Sequence, residues 1–122
     1  KSGFFRIEAR ERMVKEALQH LDNVEVITSQ NELAVTVASR IGAKTFVRGL
    51  RNNQDLDYET SMNFFNQKLD SELETIFLLS KPAYQYISSS RIRELIAFKQ
   101  SITPYVPQSV VREIERELYE KD

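Results

Sequence analysis

Two arginines three positions apart, Arg48 and Arg51, flank Gly49 and Leu50 at the end of a short apolar run, Thr45-Phe46-Val47. The run is β-branched and aromatic, as expected of a buried strand. The arginines then stand where the chain leaves the carboxyl end of that strand, the edge at which open α/β sheets bind ligands. Guanidinium groups there suit a phosphate or a carboxylate, because each presents a rigid fork of donors and stays charged. Gly49 lets the backbone turn or lets a ligand approach closely. A surface turn with two solvated arginines fits the same residues, and the local pattern leaves both readings open.

A second chemical signal is Ser88-Ser89-Ser90, followed by Arg91 and a helical pattern. The free N–H groups and positive dipole end of a helix attract anions, and hydroxyls add donors. Simple N-capping needs only one of the three serines. Taken with Arg48 and Arg51, the triplet suggests a polyphosphate cradle. Glu59 reads as a dipole-favoured carboxylate near a helix start, as an acceptor for a nucleotide, or as an ion-pair partner of Arg51. His20 is the only histidine and falls at the end of an amphipathic pattern, where a boundary residue is the plainer reading. Phe64 and Phe65 are adjacent, so both cannot face one core, and one is a candidate for a subunit contact.

Composition narrows the classes. The 122 residues suffice for one domain with a core. A net charge of -1 gives no global field for nucleic acid or an anionic membrane, so any anion site is a local cluster. There is no cysteine, which excludes disulfides and thiolate metal sites and suits a reducing compartment. With three glycines there is no Walker loop and no Gly-x-Gly-x-x-Gly. No metal-ligating set is apparent, and no apolar run reaches membrane-spanning length.

The elements that must hold these groups follow from periodicity. Ile7 to Leu21 predicts a helix, Val24 to Ile27 a strand, and Ser29-Gln30-Asn31 a connector able to cap the next helix. Leu33, Val37 and Ile41 predict the inner stripe of that helix, closed by Gly42. After the strand at Thr45 to Val47 comes the Arg-Gly-Leu-Arg turn and a polar loop from Asn52 to Asp55. Tyr58, Met62, Phe65 and Leu69 predict a third helical stripe, and Glu74 to Leu79 a strand buried on both faces. A helix from Arg91 to Phe98 and a last helix follow. The last has Pro107 in its first turn, Val111, Ile114 and Leu118 inside, and a fraying tail from Tyr119 to Asp122. Strands alternating with helices predict a parallel, three-stranded α/β sheet. Such a narrow sheet and an opening helix without its strand imply a missing first β-α-β portion, on the order of 30 residues or more.

These pieces resemble phosphopantetheine adenylyltransferase of bacterial coenzyme A biosynthesis. The resemblance lies in Val47 to Arg51, Asp57-Tyr58-Glu59, Asn66 to Leu69, Glu72 to Leu78, Tyr84 to Ser90 and Tyr105-Val106-Pro107, in order along nearly the whole chain. It implies a Rossmann-like, doubly wound parallel sheet of the nucleotidyltransferase type and a single nucleotidyltransferase domain over residues 1–122. The implied reaction is adenylyl transfer from ATP to 4'-phosphopantetheine, giving dephospho-coenzyme A and pyrophosphate, with magnesium. A cytoplasmic homo-hexamer, with coenzyme A as a feedback ligand, is also implied.

Residue by residue, the resemblance puts Lys1, Ala34 and Arg48 on the phosphopantetheine side. It puts Gly49, Leu50, Arg51, Glu59, Tyr84, Gln85, Tyr86, Ile87, Ser88, Ser89 and Ser90 on ATP. The family's Thr-x-Gly-His motif, whose histidine steadies the reacting phosphate, has no match here, and His20 does not replace it. The chain thus reads as amino-terminally truncated, with no catalytic residue of its own. The 122 residues alone are expected to transfer little or no adenylate. A nucleotidyltransferase with another phosphate acceptor, a binding module that keeps only the ATP cradle, and a structural oligomerising domain are the competing readings.

Overall fold

The structure is a computed structural model that describes residues 4–121, with side chains described as far as Glu117. Lys1, the side chain of Leu118 and the side chains of the tail from Tyr119 to Asp122 lie outside the described residues. The chain forms two compact units, one from Ser29–Tyr86 and one from Lys1–Thr28 with Ile87–Asp122.

The first of these holds the sheet. Its elements are α2 (Ala34–Ile41), β1 (Thr45–Leu50), α3 (Asn53–Leu69), β2 (Glu74–Leu79) and a 3-10 turn at Pro82–Tyr84. The strands β1 and β2 pair in parallel, from Thr45 opposite Glu74 to Leu50 opposite Leu79. The ladder runs past both ends, through Glu74 N–H to the Lys44 carbonyl at 3.1 Å and Ser80 N–H to the Leu50 carbonyl at 2.8 Å. With α3 as the crossover this is a β-α-β unit, the building block of a parallel α/β sheet.

The α/β class is therefore as expected, and β2 has the expected limits. The third strand is not found: Val24 to Ile27 makes no ladder, and both end residues are exposed. Alternation records a two-faced chain, but a strand also needs a hydrogen-bonded neighbour. Nor is the Arg-Gly-Leu part of the motif a turn. Arg48, Gly49 and Leu50 continue β1, and only Arg51 lies beyond it. Gly49 has no positive φ, and a Cβ there would meet nothing within 4 Å. The glycine's relevant property in this structure is open space beside the backbone.

Among the described residues Leu73 is the one fully buried large side chain, at 1% exposure, and packs with Val35 and Ala38 of α2, with Ala43 and Phe46 alongside. The buried face of α2 is thus Val35 and Ala38, rather than the stripe of Leu33, Val37 and Ile41. Leu33 stands at the N-cap, outside the helix, and both it and Ile41 are exposed. Small Ala38 allows the close approach to Leu73 that a larger residue prevents. Gly42 closes α2 in the left-handed region, φ 77°, as its position predicts. The expected connector cap is not formed, and the Ser29 hydroxyl donates instead to the Glu32 carboxylate at 3.0 Å.

Along α3 the expected core stripe faces out. Tyr58, Met62, Phe65 and Leu69 are exposed, whereas Glu59 is the buried residue of the helix. The face of α3 turned inward is the one whose Glu59 makes an ion pair to Arg48 of β1, in place of the apolar stripe. β2 is likewise exposed at Ile76, Leu78 and Leu79, against the expectation of a strand covered on both faces. A continuous apolar run shows that two faces tolerate burial, and covering them takes another layer.

In the other unit, α1 (Ile7–Leu18) pairs with α5 (Gln108–Lys121), and α4 spans Ser89–Ala97. The helix α1 ends three residues before Leu21, and Pro107 immediately precedes α5 rather than lying in its first turn. Ala9 and Met13 of α1 are buried. Ser109 donates to the Met13 carbonyl at 2.8 Å, and Arg12 Nη2 meets the buried Glu113 carboxylate at 2.6 Å. The Arg12 hydrogen bonds hold the Glu113 carboxyl below its usual range, against a smaller opposing effect of burial.

A depressed carboxyl stabilises the fold above its unfolded pKa, about 4.3, and that contribution fades as pH falls through the lower folded value. An acid titration of amide exchange in α1 and α5 should show protection falling across this window. Glu113→Gln should start lower and lose that step. A variant with an unaltered acid limb would show that the pair contributes nothing to the helix contact.

Candidate functional site

Arg48 is set by strand alternation on the same face of β1 as half-buried Phe46. Its guanidinium donates from Nε to Glu59 Oε2 at 2.9 Å and from Nη2 to Glu59 Oε1 at 2.6 Å. The two parallel bonds form a fork that fixes the plane of the guanidinium. The Glu59 side chain is only 11% exposed, whereas that of Arg48 is 54% exposed. The Glu59 hydrogen bonds raise the Arg48 pKa further above its already high value, so the group is a permanent cation. Nη1 has no hydrogen-bond partner among the described residues.

The fork borders a cavity of about 270 Å³, with Ala34, Phe46 and Met62 as apolar walls and Asn63 further along α3. Two residues assigned to the acceptor side, Ala34 and Arg48, therefore share one cavity, and Glu59 joins them. This corrects the pairing of Glu59 with Arg51: its ion-pair partner is Arg48. Strand β1 carries Arg48 toward α3, while Arg51, past the strand end, meets the first turn of that helix.

Arg51 has its own carboxylate. Its backbone N–H donates to Asp55 Oδ2 at 2.9 Å, its Nε to the same oxygen at 3.0 Å and its Nη2 to Oδ1 at 3.2 Å. Asn52 caps α3 by accepting from Asp55 N–H at 2.8 Å, which holds Asp55 in place. The helix therefore begins inside the segment expected to be a polar loop. These bonds lower the Asp55 pKa and raise that of Arg51. A second cavity, of about 330 Å³, is lined by Leu50, Arg51, Leu56, Leu79, Pro82 and Gln85, among others. It unites three residues assigned to ATP: Leu50, Arg51 and Gln85. Tyr84 and Tyr86 are exposed nearby in sequence, and Gly49 lines neither cavity.

In the other unit Ser88 is the N-cap of α4 and accepts from Arg91 N–H at 3.2 Å. The plain capping role is thus filled by one serine. Ser89 is exposed in the first turn, and the Ser90 hydroxyl accepts from Arg93 Nη2 at 3.4 Å. Ile87 is half-buried, and His20 is exposed.

Similarity to known proteins joins this geometry to a family. Residues 1–95 match the cytidylyltransferase-like family. The phosphopantetheine adenylyltransferase of Streptococcus gordonii is 80% identical over all 122 residues, which make up 74% of that relative. The chain belongs to the phosphopantetheine adenylyltransferase family. The enzyme of that name from Streptococcus sanguinis is 79% identical over 116 residues, covering 95% of this chain and 71% of the relative. That from Streptococcus agalactiae is 53% identical over 116 residues, covering 95% of this chain and 72% of the relative.

Within this phosphopantetheine adenylyltransferase family member, two side chains escape notice in sequence. Asp55 stands four residues after Arg51, and Asn63 four after Glu59. In both cases i, i+4 spacing was the available signal. Among the described residues no group of three or more histidine, cysteine, aspartate or glutamate side chains is placed to hold a metal ion. No helix among them is long and apolar enough to cross a membrane.

Proposed function

We propose that the protein is the nucleotidyltransferase that moves the adenylyl group of ATP onto 4'-phosphopantetheine, forming dephospho-coenzyme A and pyrophosphate. The observation that carries this reading is that Arg48 and Arg51 border different cavities, one with Ala34 and the other with Leu50 and Gln85. A reaction between two phosphate esters needs two anion sites side by side. An oxygen of the acceptor phosphate attacks the α-phosphorus of ATP in line, a new P–O bond forms, the bond to the β-phosphate breaks, and pyrophosphate leaves. The protein's part is to align two anions and to neutralise charge as it develops.

Arg48, oriented by Glu59, holds the acceptor phosphate, with Ala34 and Lys1 also on that side. Arg51, Leu50, Gly49, Tyr84, Gln85 and Tyr86 serve ATP, and Arg51 exchanges part of its bonding to Asp55 for phosphate oxygens. Glu59, expected on ATP, acts in this proposal through Arg48. Ser88, Ser89 and Ser90, with Ile87 before them, offer phosphate oxygens the amides and hydroxyls of the α4 N-terminus. Magnesium enters bound to the ATP phosphates. A cytoplasmic homo-hexamer fits the exposed Phe64 and Phe65, and coenzyme A, which shares the phosphopantetheine arm, is the feedback ligand.

Calorimetry on the full-length protein tests the division of labour. Arg51→Ala should weaken ATP about tenfold or more, the scale of one lost charge-assisted contact, and leave phosphopantetheine binding nearly unchanged. Unaltered ATP affinity together with unaltered turnover would remove Arg51 from the site. Nicotinamide mononucleotide, offered as an alternative acceptor, should not be adenylylated.

A further inference from the structure

Asp55 accepts three hydrogen bonds from one residue, Arg51. Its Oδ2 takes the backbone N–H at 2.9 Å and Nε at 3.0 Å, and its Oδ1 takes Nη2 at 3.2 Å. The carboxylate thus ties the guanidinium to the backbone at the exit of β1, and the direction of the cation is set relative to the strand. Asn52 holds Asp55 in turn, by accepting from its N–H at 2.8 Å. Helix capping accounts for Asn52 and for an acidic residue in the first turn of α3. It does not account for the bonds to Nε and Nη2, which add nothing to the helix. Stability does not account for them either. The Arg51 and Asp55 side chains are 34% and 22% exposed, and ion pairs this open to water contribute little. What the fork does achieve is to present a cation in one orientation beside the cavity that Arg51 shares with Leu50 and Gln85.

We propose that Asp55 is a positioning residue for adenylyl transfer, which orients the Arg51 guanidinium toward the ATP phosphates. This rests on the ATP reading of Arg51 above. The two bonds to Oδ2 form the pivot. The longer bond, from Nη2 to Oδ1, is the one that a phosphate oxygen can take over without releasing the rest. Binding ATP needs the charge of Arg51, and Asp55 opposes binding by partly neutralising that charge. Lowering the barrier needs donors aimed at oxygens that gain charge as the bond to the leaving pyrophosphate breaks. Asp55 therefore acts on turnover rather than on affinity.

Steady-state kinetics with ATP and 4'-phosphopantetheine on the full-length protein test this. Asp55→Ala should lower kcat about tenfold or more and leave KM for ATP within about threefold, because the charge stays and its aim is lost. Asp55→Asn, whose carbonyl can still accept from the backbone N–H and Nε, should recover part of that loss. In an Arg51→Lys background, which keeps the charge without the fork, Asp55→Ala should cost little more. An equal fall of kcat in both backgrounds, or tighter ATP binding at unchanged kcat, would show that Asp55 does not act by aiming the guanidinium. The assignment then falls while the ATP reading of Arg51 stands. If the unsubstituted protein transfers no adenylyl group to phosphopantetheine, that reading falls and the assignment with it. Should Asp55→Ala fail to fold, Arg51→Lys alone decides, since an unchanged kcat there would make the orientation of the fork immaterial.

Discussion

Arg48→Ala is expected to weaken 4'-phosphopantetheine binding about a hundredfold and to destabilise the β1–α3 contact by about 1–3 kcal/mol. The two effects have separate origins. The first is the loss of the guanidinium that meets the acceptor phosphate. The second comes from Glu59, whose nearly buried carboxylate is left without its two hydrogen bonds. Removing both partners, in the Arg48→Ala and Glu59→Ala double variant, should recover much of the stability and none of the binding, because no charge is then stranded. Arg48→Lys should keep the charge but not the fork, so binding should fall with stability intermediate. Urea unfolding and calorimetry on the same four proteins separate the terms. A double variant less stable than Arg48→Ala would show that the pair stabilises by packing rather than by mutual neutralisation.

Leu73→Ala should cost about 2–4 kcal/mol, a large share of the stability available to so small a core. The side chain touches Val35 and Ala38, with Ala43 and Phe46 beside them, and no other large side chain among the described residues is as fully buried. The loss should therefore appear as faster amide exchange throughout β1 and β2, rather than at residue 73 alone. Protection that falls only locally would mean that the ladder is held by its own hydrogen bonds and not by this cluster.

The contrast between Leu73 and Glu59 shows what is legible in the chain. Strand β2 and the Gly42 cap are readable because local chemistry decides them: a short apolar run and a residue that tolerates positive φ. The parallel α/β class is readable from alternation. Which face of a helix turns inward is another matter. The stripe of Tyr58, Met62, Phe65 and Leu69 is a sound amphipathic pattern, yet the buried face of α3 is the one that carries Glu59 across to Arg48 of β1. Periodicity carries no information about such a long-range partner. Val24 to Ile27 fails for the same reason, since alternation does not supply a neighbour.

For the site, the types of residue were legible and their pairing was not. Arg48 and Ala34 line one cavity and Arg51 another. The assignment of Glu59 to Arg51 fails because strand geometry turns Arg48, and not Arg51, toward that carboxylate. Asp55 takes the place beside Arg51, through a contact between the strand exit and the first turn of α3. Asn63 carries no charge and sits in an otherwise ordinary helix, so it becomes visible only as a buried Oδ1 without a bond among the described residues.

The exposure of Val47, Ile76, Leu78 and Leu79 on the two strands also bears on temperature. Apolar surface raises the heat capacity of unfolding only if folding hides it from water, with a usual total of about 12–15 cal/mol/K per residue. These side chains keep between 51% and 85% of their surface exposed in the fold and add correspondingly less to that sum. These four positions therefore contribute little to the curvature of the sheet unit's free energy with temperature.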